Sequence, residues 1–142
     1  LATWWGERYC KATLGEVVRP DGVGVWREGE STVTFCLEHD RGSEQLSRLS
    51  EKATDYARLE RAWGVPFWLL VVVPGPRRER GVRAALSGHG LAVATTTQPD
   101  ARRPEEAVWA PLDAEGARLR LAELAGWPRP AASTAPLTEC AR

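Results

Sequence analysis

Arg19-Pro20-Asp21-Gly22-Val23-Gly24-Val25-Trp26 and, beyond the turn Glu28-Gly29-Glu30, Ser31-Thr32-Val33-Thr34-Phe35-Cys36-Leu37-Glu38-His39-Asp40 decide the fold. The first stretch reads as a strand over Gly22 to Arg27. The second reads as a strand over Ser31 to Glu38, rich in β-branched residues. Glu28-Gly29-Glu30 is the hairpin turn between them. With a short strand start at Glu16 to Arg19, the pattern predicts an antiparallel β-meander. Pro20 fixes φ at about −65° and donates no ladder hydrogen bond, so Asp21 sits at a strand irregularity. Glu38 and Asp40 are two residues apart on one strand and share a face, while His39 takes the other. The meander therefore brings Asp21 beside Glu38 and Asp40 at one end of a sheet.

Outward from the meander, Trp5, Tyr9 and Ala12 recur at helical spacing and predict a helix over Ala2 to Leu14, stopped by Gly15. Downstream, Ser43 reads as an N-cap and Glu44 as a first-turn acid of a helix running to about Trp63, with Gly64 as its end. Leu46, Leu49, Ala53, Tyr56, Ala57 and Trp63 form its apolar face. Pro66 to Val73 is a near-continuous apolar run, the pattern of a central strand covered on both faces. Pro74-Gly75-Pro76 is a turn with Pro76 suited to opening the next helix, about Arg77 to Leu86. A strand over Leu91 to Thr97, a polar loop over Gln98 to Glu106, a strand over Ala107 to Leu112 and a helix over Ala114 to Leu124 follow. The expected class is α/β, with a mixed sheet in which an antiparallel meander is followed by a parallel βαβ part. One domain over residues 1–126 and a flexible Pro/Ala-rich tail over 127–142 account for the 142 residues.

Formal net charge is zero, but its distribution is uneven. Residues 1–40 carry four basic and seven acidic side chains, whereas residues 41–83 carry nine and five. An acidic cluster followed by an arginine-rich stretch is suited to a cation site beside a phosphate-binding surface. No apolar run approaches the roughly 20 residues of a membrane helix, and there is no signal-peptide pattern. Cys10, Cys36 and Cys140 lie far apart, and neither they nor His39 and His89 have zinc-ligand spacing; a reducing, cytoplasmic setting fits. The chain contains no Met and starts at Leu1, which suggests a piece of a longer protein.

Three carboxylates within a few ångströms repel one another by roughly 4 kcal/mol per pair at about 4 Å and an effective dielectric near 20. A cation relieves that repulsion, and an all-oxygen donor set favours Mg²⁺ or Mn²⁺ over zinc. The alternative is that Asp40-Arg41-Gly42-Ser43 is a capped turn and that Glu38 pairs with an arginine of the following helix. Lys52 lies on that helix beside its apolar stripe, in 3–4 spacing with Leu49 and Tyr56. Other chemistries lack a basis: there is no Gly-rich phosphate loop, and no nucleophile motif supports a Ser-His-Asp triad.

Trp4-Trp5-Gly6-Glu7, Gly15-Glu16-Val17-Val18-Arg19-Pro20-Asp21-Gly22, Val25-Trp26-Arg27-Glu28-Gly29 and Phe35 through Glu44 together resemble the replication-relaxation family, found with actinobacterial plasmids and integrative elements. The resemblance covers roughly residues 1–125. It implies DNA of a plasmid or mobile-element origin as partner, and a winged-helix domain ahead of this region in the full-length protein. The region is also similar to the PD-(D/E)xK nuclease core, which implies a restriction-endonuclease-like fold. Pro20-Asp21 matches that core's first motif and Glu38 its second acid, while Asp40 stands where the motif has lysine. Some branches carry an active-site residue on the following helix, and Lys52 is placed for that part. The resemblance thus implies a Mg²⁺- or Mn²⁺-dependent DNA nicking or cleaving domain. Asp21, Glu38 and Asp40 would hold the metal, Lys52 would assist catalysis, Glu44 would stand behind them and Arg41 would bind phosphate. The alternative is a catalytically inactive DNA-binding or protein-interaction domain of the same fold.

Overall fold

A computed structural model describes residues 3–6, 18–114 and 116–130. Its centre is a six-stranded mixed sheet whose strands stand side by side in chain order. These are β1 (Thr3–Gly6), β2 (Gly22–Glu28), β3 (Ser31–His39), β4 (Trp68–Val73), β5 (Val93–Thr97) and β6 (Ala110–Pro111). β2 runs antiparallel to both β1 and β3, β3, β4 and β5 are parallel, and β6 returns antiparallel to β5. The α/β class, the meander and the parallel part match the expectation from sequence.

The two parallel connections carry helices α1 (Leu46–Trp63) and α2 (Pro76–Leu86). α1 buries Leu49, Ala53, Tyr56 and Leu59, a stripe at 3–4 spacing that packs against Cys36, Leu69 and Val71 of the sheet. Burying each large apolar side chain of this stripe contributes about 1.5–3 kcal/mol. Gly64 ends α1 with φ 67°, the left-handed conformation that a residue without Cβ adopts at no steric cost. The opposite sheet face carries Val33, Phe35, Trp68, Leu70 and Val72. It is covered by the 98–119 segment and by the short helix α3 (Leu121–Leu124). With both faces covered, β4 is buried at all six residues, as its unbroken apolar run requires.

Four expectations need correction. Thr3–Gly6 is a strand, not helix; its aromatic pair suits a pleated edge, and β2 supplies the backbone partners, Thr3 against Val25 through Gly6 against Gly22. The rest of the predicted first helix, and Glu16 and Val17 of the predicted strand start, lie outside the described residues. α1 begins after Gln45, and Ser43 is not its cap; the preceding turn is committed elsewhere, Arg78 Nη2 donating to the Glu44 carbonyl at 2.6 Å. The last strand shrinks to Ala110–Pro111 and the last helix to Leu121–Leu124. Gly116 turns the chain at φ 69°, and Leu119 forms a bridge with Trp109, so the segment between is spent on extended contacts. Residues 127–130 are tied to the body: Trp127 Nε1 donates to Asp113 Oδ1 at 2.9 Å and Arg129 Nη2 to Glu60 Oε2 at 2.6 Å.

Candidate functional site

Pairing of Gly22 with Leu37 places Asp21 and Glu38 one step further out on neighbouring strands, at the end of the sheet. Alternation puts both on the helix-side face. Asp21 is anchored there, its N–H donating to the Leu37 carbonyl at 2.9 Å and its Oδ2 accepting the His39 N–H at 2.7 Å. Because Asp21 stands where the strand ends, it also borders the opposite face.

Glu38 is 8% exposed and meets two side chains of α1. Lys52 Nζ donates to its Oε1 at 2.9 Å, and the Tyr56 hydroxyl to its Oε2 at 2.6 Å. Lys52 also donates to Glu44 Oε2 at 3.1 Å. The i, i+4 spacing of Lys52 and Tyr56 on α1 delivers both to one carboxylate. Burial pushes the Glu38 carboxyl above its ordinary acidity range; the bonds from Tyr56 and Lys52 oppose this without cancelling it, and the Asp21 charge adds to it. For Lys52, burial favours the neutral amine, but its bonds to Glu38 and Glu44 outweigh that and raise its pKa. Burial, reinforced by the Glu38 charge, raises Tyr56 well above the usual phenol range, so its hydroxyl remains a donor.

Asp40 faces the same side as Glu38 but is turned to α2. Its buried carboxylate accepts a two-bond clasp from Arg78, Nε to Oδ2 at 2.8 Å and Nη2 to Oδ1 at 3.0 Å. Arg41 is exposed and borders the opposite face. Of the residues singled out from sequence, Asp21, Glu38, Lys52 and Glu44 come together, while Asp40 and Arg41 stand apart from them. Among the described residues no group of three His, Cys, Asp or Glu side chains is placed to hold a metal ion. Two carboxylates remain, and Mg²⁺ commonly takes one or two carboxylates, completing its shell with water and substrate phosphate. Asp21 and Glu38 fit that donor chemistry.

Sequence reasoning missed Tyr56 as a Glu38 partner and Arg78 as the Asp40 partner. Tyr56 was signalled by its spacing from Lys52; no local spacing connects Arg78 to a residue 38 positions earlier.

The replication-relaxation family model matches residues 1–65, the stretch that carries Asp21, Glu38, Glu44, Lys52 and Tyr56. The chain is similar to the replication-relaxation family over that stretch. Neither a curated protein nor a solved structure matches it. All four of the converging side chains thus fall within the family region, whereas Arg78, which clasps Asp40, lies beyond it.

Proposed function

We propose that this chain acts on DNA in the replication of a plasmid or mobile element, nicking or cutting a phosphodiester bond at Asp21, Glu38 and Lys52. The carrying observation is the Lys52 ammonium, delivered by α1 to within 2.9 Å of Glu38 although Asp40 occupies the strand position where the nuclease motif has lysine. Asp21 and Glu38 would hold a Mg²⁺ or Mn²⁺ ion, which when bound supplies an acidified water and polarises the phosphoryl oxygen. The protein's own contribution is positioning and charge. Tyr56 fixes one oxygen of Glu38, so the carboxylate keeps its orientation. Lys52 stays protonated and offers fixed positive charge to a phosphate oxygen. Glu44 holds that ammonium at the start of α1.

Supercoiled plasmid incubated with the chain and Mn²⁺ tests this reading. Nicking is expected, reduced at least about 100-fold by Asp21→Ala, Glu38→Ala or Lys52→Met. Absence of nicking, or nicking undiminished in Glu38→Ala, overturns it.

One observation favours a second reading, a DNA-binding or protein-interaction domain without chemistry: both Glu38 oxygens already accept hydrogen bonds. Melting with and without Mn²⁺ separates the two. Occupancy at about 100 times Kd stabilises by roughly 2.7 kcal/mol; the cutting reading expects that shift and its loss in Asp21→Asn, and the second reading expects no shift.

A further inference from the structure

The sheet face away from α1 and α2 carries a cleft of about 800 Å³, inside the ~300–1,000 Å³ range of ligand sites. Its floor is Phe35, Leu37, Leu70 and Val72, and Trp109 and the 98–104 segment wall one side. Trp4 and Trp26 stand on the other side. Trp4 is 44% exposed, an unusual setting for an indole.

The sequence builds this aromatic face close to the backbone. A Cβ on Gly22 would lie 2.2 Å from Trp4 Cη2, and one on Gly24 would lie 2.4 Å from Phe35 Cζ. Only glycine lets both rings lie on β2. Their centroids are 6.2 Å apart and their planes inclined at 40°.

The mouth of the cleft also carries positive charge. Arg78, Arg83, Arg118, Arg120 and Arg129 all spend their guanidinium groups on protein acceptors. Arg41 and Arg102, which border the cleft, are exposed and form no ion pair among the described residues. His39 joins them at the rim. Beneath, Thr96 stands in register with Val72 of the floor, and its Oγ1 is buried without a hydrogen-bond partner among the described residues. Asp21 borders the same cleft and neighbours Glu38 across the strand end, so this residue stands between the cleft and the Glu38 site.

We infer that this cleft binds a single strand of DNA, with unpaired bases stacked on Trp4 and Trp26 and phosphates met by Arg41 and Arg102. Flat rings need an open base face, which a duplex keeps stacked inside, and free guanidinium groups beside them complement the backbone. The inference deepens the function proposed above by naming the form of DNA at that site. Binding without cleavage can be read separately.

Fluorescein-labelled oligothymidylate, titrated with the chain in EDTA and followed by anisotropy and tryptophan quenching, is the test. Binding at least about tenfold tighter than to a duplex of equal length is expected. Trp4→Ala weakens it by about tenfold. The double variant Arg41→Ala/Arg102→Ala makes the slope of log K against log salt shallower by about 1.4, roughly 0.7 for each phosphate that no longer meets a guanidinium. Should Trp4→Ala unfold, Trp26→Ala and the arginine pair, both judged against unchanged melting, decide the matter. Equal affinity for duplex, no binding, or wild-type binding by the arginine variant overturns the inference. So does a dimer that Trp4→Ala dissociates without any DNA binding, which would give the face to a second copy of the chain. Because EDTA removes the divalent ion, intact oligonucleotide binding with failed nicking removes the proposed function alone, and the converse removes the cleft alone.

Discussion

Glu38 and Glu79 are both buried carboxylates on the helix side of the sheet, each held by one cationic side chain and one hydroxyl, and their acidities move in opposite directions. Glu79, on α2, accepts two bonds from Arg118, Nη2 to Oε1 at 2.7 Å and Nη1 to Oε2 at 3.2 Å, and one from Thr95 Oγ1 at 2.9 Å. Burial alone would raise it, but Arg118, Thr95 and the Arg83 charge outweigh burial and hold it below the ordinary carboxylate range. Glu38 has a single ammonium, shared with Glu44, and the Asp21 charge nearby; there burial wins. A planar guanidinium that meets a carboxylate with two bonds finishes the neutralisation, whereas a shared point charge beside a second acid does not. The difference separates a carboxylate that ties α2 to the 108–118 segment from one whose acidity burial shifts upward, the kind of perturbation on which the function proposed above draws.

The contrast breaks first on stability. Glu79→Ala strands Arg118 and Thr95 without their shared acceptor, and a loss of about 2–3 kcal/mol in urea denaturation is expected. That is less than the ~3–5 kcal/mol of a fully buried broken pair, since Arg118 is 35% exposed. Glu38→Gln keeps the shape and removes a charge that burial disfavours; its stability at neutral pH is expected to stay within about 1 kcal/mol of the parent chain. Equal losses at the two positions would erase the distinction.

The side of this contrast that concerns Glu38 was legible in the sequence. Alternation along β3 and the meander are local rules that set Glu38 beside the Asp21 position, 3–4 spacing put Lys52 beside the apolar stripe of α1, and the resemblance to the nuclease core assigned Lys52 to the site. The Glu79 side was not, because Arg118 lies 39 residues away and no periodicity links them. The same holds for Arg78, which claims Asp40 through tertiary packing alone. Thr3-Trp4-Trp5-Gly6 was misread because an edge strand exists only by virtue of its partner: Trp5 fits helical spacing with Tyr9 as well as it fits a pleat, and β2 decides the matter. The cleft escaped for a related reason. Gly22 and Gly24 look like strand weaknesses in one dimension, and their purpose appears only when the Trp4 and Phe35 rings are seen lying over them.

The finest separation of the two carboxylates is by pH. Glu38 holds its proton more tightly folded than unfolded, so between the ordinary carboxylate value of 4.5 and its raised folded value the native state binds more protons. Stability contributed by this group is therefore fully present below that window and declines as pH rises through it. Glu79 has the reverse sign. Its folded acidity is depressed from 4.5, so its contribution is present above that value and disappears as pH falls toward the folded one. Urea midpoints measured from acid to neutral pH for the parent chain, Glu38→Gln and Glu79→Gln make this visible. Subtracting Glu38→Gln from the parent gives a difference that falls with rising pH, and subtracting Glu79→Gln gives one that rises. Parallel profiles for the parent and Glu38→Gln would mean that the bonds from Lys52 and Tyr56 offset the burial of Glu38 in full, leaving its folded acidity at the ordinary value and between the two directions expected of this pair.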